Sequence, residues 1–106
     1  MNTNAMNTNA MNTYAIFRRN AWQTPQDLEV AAARSTQVGN EEMPDQVRWI
    51  RSYVVADTEG RLGTVCIYQA TDPASVVEHA GRADLPADEV LPVVNTVIVR
   101  PDPVTP

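Results

Sequence analysis

The chain has 106 residues, with 8 arginines and no lysine against 13 acidic residues, and a formal charge of −5. That length holds one small domain, and the negative balance argues against the clustered positive charge that nucleic acid or an anionic membrane demands. No apolar run approaches the roughly 20 residues of a membrane span, the start has no basic and apolar secretion signal, and a lone Cys makes no internal disulfide, so a cytoplasmic protein is expected.

Residues 1–13 read MNTNA, MNTNA, MNT, a repeat with no apolar face to bury, and are expected to be a disordered extension. Tyr14 to Arg19 is short, aromatic and β-branched enough for a strand. Thr24-Pro25-Gln26-Asp27 combines a capping side chain, a proline suited to the first helical turn and an acid in that turn. Leu28, Ala31, Ala32, Ser35 and Val38 then share one helical face, and Gly39 is expected to end the helix before a polar loop from Asn40 to Gln46. Val47 to Val55 alternates as a strand, Asp57 to Gly60 is a turn, and Gly63 to Ala70 is the returning strand. Asp72-Pro73 opens a second helix running to about Ala83. A further helical turn is expected over residues 85–90, and a last strand from Val93 to Val99. The domain therefore spans residues 14–100, and residues 101–106, with three prolines, form an extended tail.

The order β-α-β-β-α-β matches a ferredoxin-like sandwich, a four-stranded antiparallel sheet with both helices on one face. A domain this small buries only about two thirds of its unfolded surface, which favours dimerisation. If the hairpin turn holds residues 57–60, opposite residues sum to 117, so that Trp49 faces Tyr68, Arg51 faces Cys66 and Tyr53 faces Thr64. On that register Trp49, Arg51, Tyr53, Cys66 and Tyr68 share the face away from the helices, as a homodimer seam or the floor of a small-molecule pocket. Ile50, Ser52, Val54, Val65 and Ile67 would then lie under the helices.

Catalytic patterns are absent from the sequence. A Ser52–His79 pair has no nucleophile elbow or glycine-rich oxyanion loop beside it, and four glycines form no phosphate-binding motif. Cys66 falls mid-strand, where a thiol usually fills space. Glu78 and Arg82 are spaced to pair on the outer face of the second helix. His79 is the one imidazole and the residue best suited to bind nickel, copper or zinc. Its helical neighbours Ser75, Val76, Arg82 and Ala83 are poor ligands, so any metal site must recruit groups from elsewhere.

The stretches Val47-Arg48-Trp49-Ile50-Arg51-Ser52-Tyr53-Val54, Cys66-Ile67-Tyr68-Gln69-Ala70, Glu78-His79-Ala80 and Leu85-Pro86-Ala87-Asp88-Glu89-Val90 resemble a family of small actinobacterial proteins, one of them nickel-binding. The similarity covers residues 14–99, and the sequence departs from the family pattern at Gly81 and Asp84. The resemblance implies a ferredoxin-like fold, a homodimer and bound Ni2+ without catalysis. A second expectation, drawn from fold analogy, is a dimeric barrel that binds a small molecule or acts as a cofactor-free oxygenase or isomerase.

Overall fold

The computed structural model describes residues 10–104. They form β1 (Asn12–Trp22), α1 (Pro25–Gln37), β2 (Val47–Ala56), β3 (Leu62–Ala70), α2 (Pro73–Arg82) and β4 (Glu89–Pro92). The strands make one antiparallel sheet in the order β2-β3-β1-β4, and both helices pack on the same face of it. The fold class is α+β. β1 begins at Asn12, inside the third copy of the repeat, while residues 1–9 of the expected extension lie outside the described residues.

The helix starts follow the caps. Thr24 accepts from the Asp27 backbone N–H at 3.1 Å, Asp72 accepts from that of Ser75 at 2.7 Å, and each cap is followed by proline. Gly39 does not end the first helix. The chain continues through one π-helical turn, Val38–Glu42, closed by Met43 N–H donating to the Val38 carbonyl at 3.0 Å. The wider turn brings Val38 and Met43, five apart, into the same core. α2 ends in a Schellman pattern, with Asp84 N–H donating to Gly81 and Leu85 N–H to Ala80. Asp84 takes the left-handed position at φ 57°, where glycine is the unstrained residue.

The expected helical turn over 85–90 and the expected strand over Val93–Val99 are both corrected. The last strand is Glu89–Pro92, paired with Tyr14 to Phe17 of β1. Val93 N–H still donates to the Thr13 carbonyl at 2.9 Å, but β1 begins one residue earlier, so the segment beyond has almost no partner strand left. Val94, Val97, Ile98 and Val99 are consequently exposed.

The hairpin register is corrected as well. The loop holds five residues, 57–61, with Gly60 at φ 82°, so Ala56 pairs with Leu62. Trp49 does face Tyr68, but a bulge at Ile50 follows, and Arg51 pairs with Ile67, Ser52 with Cys66 and Tyr53 with Val65. The bulge puts Trp49 and Ser52, three residues apart, on one face, where the Trp49 indole donates to Ser52 Oγ at 2.7 Å. The buried side chains on β1 and β3 are Tyr14, Ile16, Arg18, Thr64, Cys66, Tyr68 and Ala70. Tyr68 and Cys66 therefore lie beneath the helices with Trp49, whereas Arg51, Tyr53, Val65 and Ile67 belong to the opposite face. Ile16, Tyr68, Ala70, Val76 and Ala83 form the centre of the core, each at most 1% exposed.

Candidate functional site

The chemistry gathers between the sheet and the helices. Tyr68, in mid-β3, shares a 3.0 Å hydrogen bond with Ser35 Oγ from α1, stacks against Trp49 at 6.1 Å and meets the His79 ring edge-on at 5.4 Å. Burial pushes its phenol above the ordinary value, and the Ser35 hydrogen bond and Arg18 charge oppose that only in part.

His79 sits on the inner face of α2, 1% exposed. Its Nε2 lies 3.0 Å from the Ser35 carbonyl. A carbonyl only accepts, so Nε2 carries the proton and Nδ1 keeps its lone pair. Nδ1 is buried and has no hydrogen-bond partner. Burial pulls the ring below its ordinary value, the Ser35 carbonyl opposes that, and the Arg18 charge adds to it, so the imidazole is neutral near pH 7. A narrow cleft of ≈ 240 Å3 beside it is lined by Gly39, Asn40, Val47 and Trp49 among others.

Arg18 was not singled out by sequence. It is 2% exposed, on the inner face of β1. Nη1 donates to Cys66 Sγ at 3.1 Å, Cys66 in turn donates to Thr64 Oγ1 at 3.2 Å, and the guanidinium lies 5.8 Å from the Tyr68 ring centroid. Its Nε and Nη2 are buried without partners, a state that costs about 1–3 kcal/mol per group. A signal did exist. Tyr14, Ile16 and Arg18 share the period-2 phase of β1, so a buried Ile16 implies a buried Arg18.

The five expected pocket residues are thus divided. Trp49, Cys66 and Tyr68 border the cavity under α1. Arg51 and Tyr53 lie on the open face, where both donate to Asp102 at 2.6 Å. Those hydrogen bonds, Tyr53 first and Arg51 second, hold the Asp102 carboxyl below its ordinary value. The C-terminal segment from Val93 to Asp102 arches over that face and leaves a cleft of ≈ 890 Å3 beneath it. The expected Glu78–Arg82 pair forms on α2, and Arg82 also reaches Glu42 at 3.2 Å.

A family of nickel responsive proteins, described as SCO4226-like, matches residues 14–93, about three quarters of the chain. The chain belongs to the SCO4226-like nickel responsive family. No curated protein and no solved structure matches it. For the metal that the SCO4226-like name suggests, His79 supplies one suitable donor, a neutral imidazole with a free lone pair. Among the described residues no group of three or more His, Cys, Asp and Glu side chains converges to complete a set. Among the described residues no helix is long and apolar enough to cross a membrane.

Proposed function

We propose that this protein binds nickel without catalysing a reaction, with His79 as its imidazole ligand, in a dimer of ferredoxin-like subunits. The observation that carries the metal reading is His79 Nδ1, buried, unprotonated and unpartnered on a ring whose other nitrogen is fixed by the Ser35 carbonyl. Metal-binding imidazoles commonly anchor their second nitrogen in this way, and imidazole suits nickel. Membership of a nickel responsive family points the same way. Bound nickel supplies a divalent Lewis-acid centre. The rest of its shell comes from water or from a second subunit, since no further His, Cys, Asp or Glu side chains converge on it among the described residues. The ferredoxin-like reading is supported by the element order β-α-β-β-α-β and the strand order β2-β3-β1-β4. The dimer is supported by the apolar area left exposed on Tyr53, Val55, Leu91, Val94, Val97, Ile98 and Val99.

Equilibrium dialysis against NiCl2 with metal analysis tests the proposal. The wild-type chain takes up nickel in fixed stoichiometry, and His79→Gln, which keeps a hydrogen-bonding side chain in the core, loses it while its far-ultraviolet dichroism stays native. Unchanged affinity in that variant removes His79 from the site. Light scattering at tens of micromolar reads the assembly separately, and a monomer ends the dimer proposal.

A further inference from the structure

We propose that the C-terminal arm, residues 93–102, crosses to a second copy of this chain and docks on its open sheet face, so that two copies exchange arms. The inference rests on the dimer proposed above and names the element that builds it. Within one chain, hydrogen bonds tie the arm to the sheet only at its ends. Val93 N–H donates to the Thr13 carbonyl at 2.9 Å, and Asp102 accepts from Arg51 and Tyr53. Between those ties, no backbone hydrogen bond joins residues 94–99 to a strand among the described residues. Val94, Val97, Ile98 and Val99 stay 76–91% exposed, and a cleft of ≈ 890 Å3 separates the arm from the sheet. The family match stops at residue 93, so the arm lies beyond the shared domain.

Chain length explains the cleft. From β4 to β2 the arm crosses three strand spacings, about 14 Å. From Val93 to Asp102 it can extend to roughly 30 Å. The arm is about twice as long as its crossing, so it bows away from the face. A second copy uses that length. About a twofold axis parallel to the strands, two open faces meet with β4 of one copy opposite β2 of the other. Facing sheets lie about 10 Å apart, so each arm reaches straight across to the partner's Arg51 and Tyr53. The two arms then close the sides of the interface. Tyr53, Val55, Leu91 and the four arm side chains expose on the order of 700 Å2 per copy, close to the roughly 800 Å2 per partner of a stable interface. These apolar groups supply the affinity. The exposed Asp102 contacts add little energy and set where the arm lands.

The full-length double variant Arg51→Cys/Asp102→Cys reads the arm directly. Isotopically labelled and unlabelled protein are mixed in urea, refolded together and treated with a short bismaleimide. Mass spectrometry then scores the peptides that join position 51 to position 102, and the native Cys66, which is buried, is told apart by its peptide mass. Exchanged arms make about half of these cross-links mixed, one side labelled and the other not. Arms held on their own chain make none. Ile98→Asp changes a side chain that is exposed within one chain, so the variant folds, but its dimer–monomer midpoint in light scattering moves to about tenfold higher protein concentration. Val30→Asp, also at an exposed position but on α1, leaves that midpoint where it was. A wild-type dimer whose cross-links stay within one chain, or do not form, overturns the exchange and leaves the dimer standing, as does an unmoved midpoint in Ile98→Asp. A wild-type monomer ends both.

Discussion

Beneath the helices the polar groups of the sheet are few and buried, with two Arg18 nitrogens left unpartnered, whereas on the opposite face they are exposed and joined as ion pairs. Ser35, Tyr68 and His79 form a chain of contacts that crosses from α1 through β3 to α2. Arg51, Tyr53 and Asp102 make shorter hydrogen bonds, 2.6 Å each against 3.0 Å, on the open side, where water competes for every member. The longer, covered contacts carry the larger consequence, because burial sets what a lost partner costs.

The largest effect is expected from the covered side. Ile16→Ala removes a fully buried side chain from the strand centre and should cost about 3 kcal/mol in urea unfolding. A change below about 1 kcal/mol would mean that the covered face is loosely packed. The next test is pH. His79 titrates below its ordinary value of 6.5 in the folded state. As pH falls through that value the unfolded chain takes up the proton first, so the contribution of the neutral ring is lost on the acid side and retained above it. Wild-type stability should therefore fall with pH in this window faster than that of His79→Gln, with unfolding free energies at matched pH as the measurement. Parallel slopes would contradict the burial of the ring.

A smaller gain is expected where the covered face meets a strained residue. Asp84→Gly relieves the left-handed backbone while leaving the Schellman bonds in place, and should stabilise by about 1 kcal/mol in urea unfolding. The open face gives the smallest effect. Arg51→Ala breaks an exposed contact with Asp102, and its midpoint of unfolding should be indistinguishable from wild type in 0.5 M salt or without it (roughly a 4 Å Debye length against 30 Å). A resolvable, salt-sensitive loss would show that the C-terminal segment is held more firmly than its exposure implies.

Much of the element order was legible because caps and prolines act locally. Thr24-Pro25 and Asp72-Pro73 each start a helix where the sequence points. Long-range consequences of a single residue were not legible. The bulge at Ile50 has no turn signal, yet it reverses the facing of everything after Trp49, and a period-2 count that assumes an even ladder carries that error through the hairpin. The facing of β3 was misread for a related reason, since Val65 and Ile67 look like core residues beside Cys66 and Tyr68, and the helices cover the latter pair. The last strand was set too late because its length depends on where β1 begins, a property of a distant segment. Of the candidate site, His79 was found by its chemistry, while Arg18 was passed over because a charged residue near a strand end reads as surface.

The Ile50 bulge also governs how this molecule behaves in a crowd. β2 is an outer strand of the sheet, and its residues Ile50, Tyr53, Val54 and Val55 are exposed. An even strand of that composition offers a template on which another chain can add by backbone pairing, the route to fibrillar aggregation. The extra residue breaks the regular spacing of the free amides, and Arg48 and Arg51 flank it with like charge. Deleting Ile50 would straighten the edge, so the residue that sets the facing of the hairpin also makes the edge a poorer template for side-by-side pairing with another copy.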